Sequence, residues 1–351
     1  SKIVVVINHN PPDGKASSRI VQMDLGENTP TSVATFLGHT RGLAVTPDTR
    51  YLFNLSPLGK LSRIRLKLDT LDIEQTGDVV KWVWTNKSVI ISPDGELLFQ
   101  RAMTTDVKSG IPVSTSIDVF RVSDIAKPAM RLDTGLFASQ PACDPKTGNT
   151  YVYGATKGLM VFDNKGKLVR TFAVANPKPG LPKLAIMHMD ANPTGEKLLM
   201  FRSPNSSNAL YVEVPTNLAA VPIKKIPDPK PKQVGEHNFN DGPLQVGEMQ
   251  VHRAMTGSTV RPIWSQDGKS FVAVQKPNVV RLLNDEDLKV ISEATVKDED
   301  KAVVLHGELA ESAEGLLVLG RREGADSAQT RLFVLDRKSL EVKRSFPCPH
   351  A

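Results

Sequence analysis

Three residues of unlike chemistry stand at matching places in this chain. His188, Arg261 and Glu308 each lie seven residues ahead of a turn glycine: Gly195, Gly268 and Gly315 respectively. A base, a fixed cation and an acid brought to one spot could handle a small anionic molecule. His188 would serve as general base and Arg261 would bind the anionic group. Glu308 would orient the base or hold a divalent ion. Asp190, two residues beyond His188, shares its strand face, and His306 stands two residues before Glu308. A carboxylate beside a histidine tunes its pKa across the physiological range. His39 lies just ahead of another apolar run of the same kind. The competing expectation is a hydrated lining of mutually neutralising charges, which needs no ligand. Metal binding requires three or four convergent ligands, and nothing in this spacing imposes that, so no metal or other cofactor is expected. The chain shows no Ser-His-Asp set, glycine-rich phosphate loop, zinc-ligand spacing, CxxC pair or haem-attachment motif.

The elements that must carry these residues come from a repeat. Six times an apolar run ends in an acidic or glycine-bearing turn and restarts, as in Ile91-Ser92-Pro93-Asp94-Gly95 leading into Leu97-Leu98-Phe99. The turn positions 49, 95, 148, 195, 268 and 315 are separated by 46, 53, 47, 73 and 47 residues. Two further strand-length runs follow each turn, and four strands in roughly 40–50 residues is one blade of a β-propeller. The fold expected is all-β: a single propeller domain over residues 1–351, with seven four-stranded blades around a central channel. Six or eight blades remain open. The runs Lys2–Ile7, Arg19–Leu25 and Ser32–Leu37 read as three outer strands of a blade lacking its innermost one. The long interval places an insertion at about 227–257, where proline, glycine and asparagine are too dense for a regular hairpin throughout. In the turn alignment, the position seven residues upstream holds Gly42, Ser88, Pro141, His188, Arg261 and Glu308. Innermost strands line the channel, so the last three should meet at its mouth.

Composition narrows the partners. The net charge is +6, with aromatic residues at only 5%, and the basic residues are scattered rather than gathered in a stripe. Nucleic acid is therefore not an expected partner. No apolar stretch approaches the roughly 18–20 residues of a membrane span. No signal peptide is visible at the start. Arg101, Arg202, Lys276, Arg321 and Arg322 follow the second strands, and by the repeat they should project near one loop face. That face could meet an acidic partner. Cys143 and Cys348 read as a buried small hydrophobe and an exposed thiol, with a disulfide between them left open.

The runs Gly42-Leu43-Ala44-Val45-Thr46-Pro47-Asp48 and Ser92-Pro93-Asp94-Gly95-Glu96-Leu97-Leu98-Phe99 resemble the inner-strand motif of YVTN-type propeller repeats. That group is similar to the lactonase-like and amine-dehydrogenase heavy-chain-like propellers. The WD-type signature is absent, because no Trp-Asp pair closes a repeat. The resemblance implies a propeller of a kind often bacterial and often periplasmic or secreted, and it maps no catalytic residue onto this chain. The leading expectation is a non-catalytic scaffold that holds a protein partner or ligand through one loop face and the 227–257 insertion. The alternative is a lactonase-like hydrolase with its small-molecule site at the channel mouth.

Overall fold

Six hairpin turns organise the chain, and their first side chains explain why the chain reverses there. In the computed structural model Thr46 Oγ1 donates to Asp48 Oδ1 at 2.6 Å and accepts from the Tyr51 amide at 3.0 Å. Ser92 repeats this with Asp94 and Leu97, and the Ser265 hydroxyl likewise donates to Asp267. Such short side chains satisfy the turn's own backbone groups, so the reversal needs no outside partner. Asn192 achieves the same by accepting both the amide and the hydroxyl of Thr194 at 2.7 Å. The third turn differs: the Gly148 amide reaches back four residues to Asp144, where Gly95, Gly195 and Gly268 reach back three. The strand position matching His188 is therefore Gln140, not the Pro141 expected from counting back from the glycine.

The structure describes residues 2–9, 17–25, 29–37, 40, 42–56, 60–66, 71–78, 89–105, 112–135, 138–154, 157–172, 174–175, 188–195, 197–201, 208–213, 233–234, 245–246, 251–255, 262–275, 277–285, 289–324 and 330–348. Strands and turns account for their regular structure, with no helix among them. Two compact units divide the chain, over Ser1–Pro141 and Ala142–His350.

The first unit holds three antiparallel sheets. One joins β1 (Lys2–His9), β2 (Ser17–Asp24) and β3 (Thr29–Leu37). The second runs β4 (Gly42–Val45), β5 (Tyr51–Leu55), β6 (Lys60–Leu66) and β7 (Leu71–Asp78). The third runs β8 (Val89–Ile91), β9 (Leu97–Thr105), β10 (Pro112–Arg121) and β11 (Met130–Asp133).

The second unit opens with β12 (Ala142–Cys143), β13 (Thr150–Gly154), β14 (Gly158–Phe162) and β15 (Leu168–Phe172), followed by the short β16 (Val174–Ala175). The fifth sheet begins with β17 (His188–Ala191), β18 (Lys197–Phe201) and β19 (Asn208–Glu213). After β20 (Gln233–Val234) and β21 (Gln245–Val246), its fourth strand is β22 (Val251–Met255). The sixth runs β23 (Ile263–Trp264), β24 (Ser270–Gln275), β25 (Val279–Asn284) and β26 (Val290–Thr295). The last adds β27 (Lys297–Asp298) to β28 (Lys301–Ser312), β29 (Gly315–Arg322), β30 (Arg331–Leu335) and β31 (Val342–Pro347).

Five of these sheets contain an uninterrupted four-strand meander in chain order, the propeller-like arrangement expected from the period. Among the described residues the sheets are not uniformly four-stranded. The first sheet has three strands, and the fifth reaches its fourth strand only after a long excursion. Part of the 227–257 segment is thus ordinary blade, because Val251–Met255 is that fourth strand. Its preceding part pairs at two points: β20 lies parallel to β22 at the edge of the fifth sheet, and β21 pairs with β16 as a separate two-stranded sheet.

Core side chains sit between the faces of successive sheets. Phe53, Leu55 and Leu61 of the second sheet meet Val89, Leu98 and Phe120 of the third. Val272, Val274 and Val280 of the sixth meet Val303, Leu305, Val318 and Phe333 of the last. Each large side chain so buried contributes about 1.5–3 kcal/mol. Cross-strand ion pairs hold the outer halves of several sheets, as in Asp118–Arg131 and Arg281–Glu293, both at 2.5 Å.

Candidate functional site

The expected site lies on three innermost strands of the second unit: β17, β23 and β28. Two contacts place them in order. The Trp264 amide donates to Asp190 Oδ2 at 3.4 Å, and its indole Nε1 donates to the Asp190 carbonyl at 3.3 Å, tying β23 to β17. The Gln266 amide then donates to Glu311 Oε2 at 3.0 Å, tying the sixth sheet's turn to the end of β28. Trp264 can serve here because Phe271 packs edge-on against its ring, with centroids 5.8 Å apart.

On this framework His188 is the first residue of β17, its backbone paired with Phe201. Glu308 lies in β28 where the register slips between His306 and Leu309. Asp190, half-buried, faces Trp264 on the neighbouring inner strand. Arg261, His39, Arg202 and Lys276 lie outside the described residues.

His306 is half-buried, and burial together with the nearby Arg321 guanidinium holds its pKa below the ordinary histidine value. Its imidazole is therefore neutral at pH 7 and can accept a proton or a hydrogen bond. Arg321 is exposed on β29, opposite Val304, so it sits diagonally across from His306. Arg322 turns to an ion pair with the buried Asp298 at 2.7 Å.

Arg101 is not at a loop face. It lies within β9 at 4% exposure, and its Nη1 donates to the Ala138 carbonyl at 3.1 Å. Burial lowers the pKa of its guanidinium to about 10. Of the basic residues expected to share one face, the structure thus buries one, pairs a second and leaves Arg321 outward.

Residue types alone did not single out the Asp298 cluster. This carboxylate, 4% exposed, is met by Arg322 and, at 3.3 Å, by Arg331. Lys197 and Asp285 form another ion pair, joining the fifth and sixth sheets. Nothing local marks these pairs, because each joins separate strands or sheets.

No group of three His, Cys, Asp or Glu side chains among the described residues is placed to hold a metal ion. Cys143 and Cys348 do not form a disulfide. Burial pushes the Cys348 thiol up to about 11, which suppresses the reactive thiolate. No helix among the described residues is long and apolar enough to cross a membrane.

No protein-family model matches the chain, and neither does any curated protein sequence. Among solved structures the chain is similar to a functionally unknown protein from Desulfotomaculum acetoxidans DSM 771. The TM-score is 0.59 at 12% identity, covering 93% of this chain and 91% of that one. At that identity the likeness shows a shared fold and nothing of activity.

Proposed function

We propose that this chain is a non-catalytic scaffold, a seven-bladed propeller of the YVTN type forming one domain. It holds a protein partner through one loop face and the excursion within residues 227–257. The observation that carries the reading is the anchoring of that excursion. The 37 residues between β19 and β22 are tied down at two points, β20 at the edge of the fifth sheet beside β22 and β21 in a two-stranded pair with β16. Long connections of this kind are usually either functional or disordered, and strand pairing at two points favours the first. The excursion also enters between third and fourth strands, and its described strand β20 adds to the fifth sheet's outer edge. Deleting residues 229–244 should preserve cooperative unfolding while abolishing partner capture in a pull-down. Equal capture by the deletion variant would remove the excursion from the interface.

A second reading is favoured by one irregularity. Among the described residues, β28–β29 is the sole innermost strand pair with a register slip, and Glu308 falls inside it beside the neutral His306. Bulges re-aim side chains and recur next to active sites. In this reading His188 is the general base, Arg261 binds an anionic substrate, and Glu308 orients the base or holds a divalent ion. Hydrolysis of simple lactones by purified protein, lost in His188→Gln and Glu308→Gln, would replace the scaffold reading with this one.

A further inference from the structure

Two buried carboxamides stand at one repeated position in the first unit. Eight residues beyond Thr46 and Ser92, the first residues of their turns, lie Asn54 on β5 and Gln100 on β9. The same count in the second unit, from Asp144, Asn192, Ser265 and Ser312, reaches Val152, Met200, Ala273 and Gly320. The first unit is therefore polar at a place where the second is apolar or carries no side chain. Asn54 is 2% exposed and Gln100 is fully buried. Both face the preceding sheet. Asn54 follows Leu52 by two residues, and Leu52 packs with Ile20 of the first sheet. Gln100 follows Leu98 by two, and Leu98 packs with Phe53, Leu55 and Leu61 of the second sheet. Each carboxamide thus enters one seam of the unit.

Among the described residues no protein group donates to Asn54 Oδ1 or to Gln100 Oε1. The other end of Gln100 is fixed, because its Nε2 donates to the Arg101 carbonyl at 3.3 Å. Turning that carboxamide over would set its oxygen against the carbonyl, so its orientation is not open. A buried oxygen without a donor is costly and rare in native proteins. Each carboxamide has a buried polar neighbour directly across the ladder on the same face: Ser62 opposite Asn54, and Asp118 opposite Gln100. Side chains so paired have Cβ atoms roughly 4.5–5.5 Å apart. Polar groups at such a span are joined through one bridging molecule. Arg131 neutralises Asp118, donating to its two oxygens at 2.5 and 3.0 Å, and each of these oxygens keeps a further lone pair. The bridging partner is therefore a neutral donor in both seams, and beside Gln100 it donates twice.

We infer that each seam of the first unit binds one fixed water molecule. One bridges Asn54 Oδ1 to the Ser62 hydroxyl, between the first and second sheets. The other bridges Gln100 Oε1 to the Asp118 carboxylate, between the second and third. Water is neutral, donates two hydrogen bonds and accepts others, and an interior holds it where two to four polar groups converge. The two waters give these seams directional contacts where the second unit has apolar side chains at the matching position. The inference is independent of the excursion at 227–257, which lies in the other unit.

A crystal structure of the whole chain that resolves ordered solvent tests this directly. It should show one water at about 2.5–3.0 Å from Asn54 Oδ1 and one at the same distance from Gln100 Oε1. A protein donor at either oxygen, or solvent at only one of them, would overturn the inference. Oxygen-17 relaxation dispersion counts long-lived internal waters in solution and supplies a second readout. Asn54→Leu and Gln100→Met should each lose one such water, and the double variant should lose two. A folded variant that keeps the full count would overturn the assignment at its site. Should neither variant fold, the two solvent positions in the unaltered protein decide the matter.

Discussion

The inner turns and the outer strands of these sheets are held by different means. At the inner end several turns lean on a neighbour within their own unit. Asn192 Nδ2 donates to the Gly268 carbonyl at 2.7 Å, and the Gln266 amide reaches Glu311 of the next turn. The Gly195 backbone lies so close to the Asp144 carboxylate that an added Cβ would sit 3.1 Å from it. In the first unit Gly95 approaches Pro47 in the same way, at 3.3 Å. At the outer end the ion pairs Arg281–Glu293 and Asp118–Arg131 stay within one sheet, and the contacts between sheets are made by exposed side chains, Gln75 with Asp124 and Ser292 with the Ser339 carbonyl. A change at the inner end is therefore felt by the adjacent sheet through close, partly buried contacts, while at the outer end the side chains that bridge sheets are exposed and can move aside.

The sharpest way to break this comparison is at two glycines with similar backbones. Gly268 has φ +66 and Gly324 has φ +75, both in the left-handed region. A Cβ at Gly268 would collide with the Asn192 carboxamide and with Thr194, whereas at Gly324 it would meet nothing within 4 Å. Gly324→Ala should cost about 1–2 kcal/mol, the conformational term alone. Gly268→Ala should cost about 1–2 kcal/mol more, through loss of the Asn192 bridge. Chemical denaturation of the two variants measures the difference, and equal losses would show that the turns do not support one another.

A smaller effect is expected from pH. Burial and Arg321 depress the folded pKa of His306. The unfolded chain therefore takes up the proton first, and stability falls as pH drops below about 6.5. His306→Gln should flatten that part of the stability profile. At lower pH, hydrogen bonds from Thr46 and Arg50 hold the Asp48 carboxyl down at about 2. Amides of Ser339 and Lys338 depress Asp336 as well. Their contribution is complete above the ordinary carboxylate range and is lost as pH falls through it toward 2. Thermal unfolding midpoints from pH 7 to pH 2 should resolve the histidine step and the carboxylate step.

The smallest change should come from the outer strands. Arg281→Ala breaks the partly exposed pair with Glu293 and should cost under about 1 kcal/mol. The midpoint should also move little with added salt. A loss as large as that at Gly268 would erase the distinction between inner and outer ends.

The turns were legible in the sequence because their hydrogen bonds are local. Thr46 with Asp48, Ser92 with Asp94 and Ser265 with Asp267 each span two residues, so residue type and spacing suffice to place them. Strand runs between them followed from apolar patterning, and so did the three-stranded first sheet. The third turn was misaligned by one residue because its extra residue shows only in the hydrogen bond from Gly148 to Asp144. Arg101 was expected at a surface because nothing adjacent marks burial, and its acceptor Ala138 is 37 residues away.

By itself the amino-acid sequence determined where the chain reverses, how often, and which short side chains close each reversal. Only the tertiary structure decided which turns touch, since Asn192 and Gly268 are 76 residues apart. The same holds for the parallel return of Gln233–Val234 onto Arg253–Ala254. Such contacts depend on how whole sheets stack against one another. Burial of their apolar faces sets that stacking, and apolar burial is non-directional, so it leaves no mark in local spacing.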